Sequence, residues 1–270
     1  MNTQNERSAD KRRILIFTLI ALALTVTATV LRLVCLFFFY DRIGYYRQGE
    51  ILPVLSNIFY AASVAFFAIS ARFLVKPQSY IAPPKKPAQL AALLPLAAMI
   101  VYVINISANV FGNSAPWYEL LLLVFGVVSV VFFGSVAFCR QPSALSALTG
   151  VGCILWLALA SLRSYLDFFV PMNSPDKLFF QLGALGATLL VFSELRAMYR
   201  MYQPRVFFFC FFTGIFATAV SSICDLIANA GDVFASYTLL YEDTVILAIL
   251  VYGIVRLFSL ICSEQTEEKT

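Results

Sequence analysis

The sequence predicts an all-α, polytopic membrane protein of eight transmembrane helices, arranged as two parallel four-helix repeats. Three observations carry this. First, 61% of the 270 residues are hydrophobic and 13% are charged, with mean hydropathy +0.84, against roughly 45–50% and 25% in ordinary soluble domains. One soluble core of this size cannot hide so much apolar surface, so most of it must meet lipid. Second, the apolar residues fall into eight runs of the ~20 residues that a helix needs to cross a bilayer. Third, Lys and Arg gather at alternate ends of those runs.

In chain order the runs cover residues 14–40, 52–75, 91–111, 119–139, 145–170, 177–200, 206–230 and 237–262. A tail, 1–13, precedes the first repeat (14–139), and a second tail, 263–270, follows the second repeat (145–262). Lys11-Arg12-Arg13 stands before the first run, as in a signal peptide. The run is too long for a signal core, and no small-residue cleavage site follows it, so it is expected to stay in the mature protein. The longest loop, 76–90, carries Pro77, Pro83, Pro84 and Pro87 and reads as a stiff connector. The tails and loops leave no room for a soluble domain.

Orientation follows from the basic residues. Fourteen Lys and Arg, Arg256 among them, lie on the side of the N-terminus, and three (Arg42, Arg47 and Lys177) lie on the other. The positive-inside rule places both termini in the cytoplasm, in an integral protein of the cell membrane. The formal charge of +4 therefore marks one face of a bilayer, which is the expected partner, and points to no nucleic acid.

The repeat rests on rare residues recurring in order. Leu31-Arg32 before Phe37-Phe38 in the first run matches Leu162-Arg163 before Phe168-Phe169 in the fifth. Asn105 and Asn109 in the third match Asp225 and Asn229 in the seventh, and Tyr118-Glu119 matches Tyr241-Glu242. Four spans per copy give both copies one orientation, hence a pseudo-two-fold axis along the membrane normal.

An ionisable group at mid-bilayer costs at least ~2.5–3.5 kcal/mol on insertion scales, so each asks for a partner or for water. Arg32, Asn105, Asn109, Arg163, Asp167, Asp225 and Asn229 fall in the outward halves of odd spans, and Asn57, Tyr60, Gln181, Glu242 and Asp243 in the first third of even ones. All share one depth. Pairs four apart (Asn105 and Asn109, Asp225 and Asn229, Arg163 and Asp167) share a helix face. The expectation is a polar pocket in the outer half of the bilayer. Arg32 and Arg163 balance Asp167 and Asp225 there, Glu242 and Asp243 belong to an acidic rim, and the inner halves are almost free of charge. The candidate ligand- or ion-binding residues are Arg32, Asn57, Asn105, Asn109, Arg163, Asp167, Asp225, Asn229 and Glu242.

Structural readings compete at each position. Arg32 with Asp225 is also a packing salt bridge, and the Asn residues are also interhelical hydrogen-bond glue. Phe37-Phe38-Phe39 and Phe207-Phe208-Phe209 read as lipid-facing belts. Gly183/Ala187 and Gly214/Thr218 read as surfaces of close helix approach. No proline marks a broken helix in mid-span.

The chain contains no histidine, which removes Ser-His-Asp and Cys-His catalysis and histidine metal ligands. Its six cysteines lie in or at the ends of apolar runs with no C-x-x-C pair, as small hydrophobes. No phosphate-binding glycine loop or nucleophile elbow is present. The sequence therefore predicts no cofactor, no metal and no catalytic residue, and an intramembrane carboxylate enzyme is the least favoured class. The function expected is binding or transport of a small solute or cation. The alternative is a non-catalytic receptor, accessory or structural subunit that binds another membrane protein.

Overall fold

A computed structural model describes residues 2–41, 44–74, 86–112, 116–139, 144–166, 174–199, 203–233 and 239–263. Eight helices long and apolar enough to cross a membrane account for nearly all of them, as in a multi-pass membrane protein. They are span 1 (Asn2–Phe39), span 2 (Ile51–Leu74), span 3 (Lys86–Gly112), span 4 (Trp117–Phe138), span 5 (Ala144–Leu166), span 6 (Pro175–Met198), span 7 (Pro204–Ala230) and span 8 (Leu240–Ser263). Odd spans run toward one end of the bundle and even spans return. The end opposite the chain termini is called here the far end.

Local chemistry sets the boundaries. Pro175 and Pro204 open spans 6 and 7, where the first-turn N–H has no partner to lose and φ is already helical. Span 3 starts earlier than the hydropathy pattern suggests, and a turn at Ala92 interrupts it. Pro95 has no N–H for the Ala91 carbonyl. The flanking bonds Ala92 N to Ala88 O (3.0 Å) and Leu96 N to Ala92 O (3.2 Å) carry the helix through. Hydroxyls inside the spans mostly return to a carbonyl three or four residues back, as Thr25 does to Ala21 and Ser129 to Phe125, so lipid meets no bare polar group.

Span 7 is the axis. Its apolar window is 83% buried, against 28% and 22% in spans 1 and 2. Spans 1, 2, 6 and 8 pack around it, span 3 lies on spans 4 and 8, and span 5 joins span 4 to span 6. The closest approach is between spans 6 and 7. A Cβ on Gly214 would stand 2.8 Å from the Gly186 carbonyl oxygen, and one on Gly186 3.0 Å from that of Gly214. Only glycine fits on both sides; the small-residue spacing points to Gly214 and, on span 6, to Gly183 rather than Gly186.

The central place of span 7 overturns one expectation. Phe207 and Phe208 are buried at 3% and 7% exposure and stack on Phe211 and Phe212 within the bundle; they are core, not a lipid belt. Phe37 and Phe38 do face outward. Span 7 is also irregular without a proline: Ala219–Ile223 forms a π-helical segment before α-helix resumes at Cys224.

Candidate functional site

Span 1 delivers Arg32 to the π segment. A π turn displaces carbonyls from the i→i+4 ladder, and Arg32 takes two of them. Its Nη1 donates to Val220 O (2.5 Å) and Ser221 O (3.0 Å), and its Nη2 donates to Asp225 Oδ1 at 2.5 Å. The other Asp225 oxygen accepts from the Ser221 hydroxyl at 3.4 Å. Below the guanidinium lies the ring of Phe179, 4.1 Å from its carbon, a favourable face for a cation in a dry site. Arg32 and Asp225 are each 1% exposed. Four electrostatic contacts from two spans, 6 and 7, offset the desolvation of this charge.

A second pair joins spans 5 and 8. Arg163 Nη1 donates to Glu242 Oε1, and Glu242 is buried at 1%. Glu242 is thus no rim residue, and the partner of Arg163 is across the bundle. Asp167, its expected partner one turn on, lies outside the described residues.

Asp243 follows Glu242 and points elsewhere. It feels the charges of Arg32 and Asp225 and is 0% exposed. Neither of its carboxylate oxygens has a hydrogen-bond partner among the described residues, and the Nε of Arg32 likewise lacks an acceptor. Neighbouring positions on one helix thus differ: Glu242 pairs with Arg163 of span 5, and Asp243, buried where span 8 packs on its neighbours, has no hydrogen-bond partner among the described residues. Sequence reasoning placed Asp243 on an open rim; the packing of span 8 against spans 3, 6 and 7 buries it.

The layer is covered on both sides. At the far end the chain after span 1 folds back through a Tyr40–Tyr46 bridge, with Arg47 N bonded to Phe39 O at 2.8 Å and Gly44 at φ 95°. Tyr40 and Tyr46 pack on Leu36, Cys224 and Ala228, and the Tyr40 hydroxyl donates to Asp176 of span 6 at 3.0 Å. Burial pushes both phenol pKa values up, and the Asp176 carboxylate raises Tyr40 further.

Toward the termini, Arg256 Nε bonds both oxygens of Glu194 (3.0 and 3.1 Å), with both residues buried. A small cavity of about 10 Å³ beside Glu194 is lined by Leu190, Ile249 and Tyr252 among others. This pair corrects the expectation of a nearly charge-free inner half and removes Arg256 from the basic boundary. Its signal was in the sequence: Glu194 stands within an apolar run and requires a cation.

The carboxamides take no part in the layer. Asn57 and Asn109 are exposed, Asn105 and Asn229 are half-buried, and none bonds Arg32, Arg163, Asp225 or Glu242. Among the described residues no group of three or more His, Cys, Asp or Glu could hold a metal ion.

No family model matches this chain, and neither curated proteins nor solved structures provide a match. The geometry of the layer carries the functional reading.

Proposed function

We propose that the protein is a small cation-coupled carrier, which binds its cation in the layer formed by Arg32, Asp225 and Asp243 and moves it, with or without a small solute, across the bilayer. The observation that carries this is Asp243: a carboxylate at 0% exposure, without a hydrogen-bond partner among the described residues, at the layer where Arg32 and Asp225 pair with each other. The described layer holds three carboxylates (Asp225, Glu242, Asp243) against two guanidinium groups (Arg32, Arg163). Asp225 and Glu242 are matched by Arg32 and Arg163, whereas Asp243 makes no hydrogen bond or ion pair among the described residues, and a buried uncompensated charge costs several kcal/mol. A bound cation removes that cost.

Two further features support a carrier over a blind receptor pocket. The layer lies between separate closures, Tyr40–Asp176 at the far end and Glu194–Arg256 toward the termini, as an occluded intermediate requires. Span 7 contains its π segment at the layer itself, so the element that would move is already departed from regular helix. The excess of basic residues on the side of the termini argues that the layer lies toward the outer face.

Charge displacement in proteoliposomes adsorbed to a solid-supported membrane tests this reading. Steps in pH, Na⁺ or K⁺ are applied in turn. At least one step gives a transient current in the wild type that Asp225→Asn reduces several-fold. Absence of current from every step, in protein that remains folded, contradicts the proposal and favours the accessory or structural subunit.

A further inference from the structure

We infer that the cation is a proton and that Asp243 carries it, with Arg32 passing between Asp225 and Asp243 as the proton leaves and returns. This deepens the carrier reading and rests on it. Three observations point the same way. A metal cation needs several oxygen ligands, six to eight for Ca²⁺ and about six for Mg²⁺. The charges acting on Asp243 are instead those of the Arg32 guanidinium, which repels a metal, and of Asp225, whose oxygens are engaged by Arg32 and Ser221, and span 8 packs on the π segment that Arg32 binds. Next, both Asp243 oxygens lack a donor in a site with no exposure, and a carboxyl group in that setting is at rest only as the neutral acid. Last, the Arg32 Nε–H is a buried donor with no acceptor among the described residues. It is a ready partner for Asp243 once the proton has gone.

The charged groups that face Asp243 are Arg32 from span 1 and Asp225 from span 7. Glu242, on its own helix, is paired with Arg163; span 6, packed on span 8, brings Asp176, whose charge acts on Asp225, and the buried Lys177 to the same end of the bundle. Loss of the proton leaves Asp243 ionised and draws the guanidinium toward it. The Nη1 bonds to Val220 O and Ser221 O then lengthen, and the π segment is freed to re-form as α-helix or to bend. Return of the proton restores the present arrangement. Protonation on span 8 is thereby linked to the geometry of span 7 through one side chain of span 1.

Infrared spectroscopy of the full-length protein in lipid nanodiscs reads this directly, because the C=O stretch of a protonated carboxyl stands apart from amide and carboxylate bands. The wild type at neutral pH shows such a band, shifted by H/D exchange. Asp225→Asn frees Arg32 to pair with Asp243, so the band is lost at neutral pH and returns at lower pH; Asp243→Asn abolishes it at every pH, and Asp243→Glu moves it to a different frequency, which serves if the Asn variant does not fold. Absence of the band from the wild type, or its persistence unchanged in Asp243→Asn and Asp243→Glu, overturns the assignment. Currents evoked by Na⁺ or K⁺ and not by pH overturn the proton while leaving the carrier standing; absence of all currents removes both.

Discussion

Arg32 divides its guanidinium between two kinds of acceptor, a carboxylate and the carbonyls of the π segment, and that division needs a planar fork. Lysine carries the charge without the fork. Arg32→Lys is therefore expected to lose much of the stability lost by Arg32→Gln, about 3–5 kcal/mol for a broken buried pair, as a lowered thermal midpoint in detergent. Because Arg32→Gln strands the Asp225 charge, adding Asp225→Asn restores most of the loss. A double variant no better than the single would show that the pair contributes little. At the far end, Tyr40→Phe removes one hydrogen bond to a carboxylate and costs about 1.5–3 kcal/mol. The raised phenol pKa keeps that bond at full strength below the ordinary tyrosine value of ~10, and it fades as pH rises beyond it. The stability gap between wild type and Tyr40→Phe, followed against pH, checks the sign.

At this scale the sequence was informative about which residues are buried charges and less so about their partners. Arg32 and Asp225 share a depth and opposite signs, and the structure pairs them. Arg163 has Asp167 one helical turn away, so spacing favours a local bond; the partner seen is Glu242 of span 8. Helix rotation decides between Glu242 and Asp243, and neighbouring residues about 100° apart cannot be assigned to faces before the packing is known.

The elements behave as their small residues and irregular turns dictate. Gly214 admits no Cβ, because Leu190 Cγ would lie 2.7 Å and Gly186 O 2.8 Å away. Gly214→Val should cost about 1–3 kcal/mol by overpacking. Gly134→Ala, with nothing within 4 Å of the new atom, should be neutral or gain up to ~1 kcal/mol of helix propensity. Thermal unfolding of the two variants compares them, and equal losses would refute the close contact. The π segment makes a sharper prediction. Deleting Val220 removes the extra residue of the π turn and returns the freed carbonyls to the i→i+4 ladder, so Arg32 loses its two backbone acceptors and the deletion is expected to abolish the predicted current. The Gly183 and Gly214 surfaces were legible as spacing. The π segment was not, because Ala-Val-Ser-Ser-Ile contains no breaker and the departure from α-helix is held by Arg32, far away in sequence.

For the whole molecule, hydropathy located all eight spans, since length and apolar content are local properties. The order of packing was hidden, because in lipid an apolar side chain on the axis and one on the rim look alike in sequence. That is why Phe207 and Phe208 read as surface while they lie in the core. The central claim is that the layer is occluded here and opens in turn to each face. Its most direct test is accessibility of Ser221→Cys, beside Asp225, after replacement of Cys35, Cys139, Cys153, Cys210, Cys224 and Cys262, with a small membrane-impermeant thiol reagent applied from one side and then the other. Alternating access predicts slow modification from both faces. Modification from one face only would contradict it in favour of a receptor, and protection from both would make the layer a dry structural core.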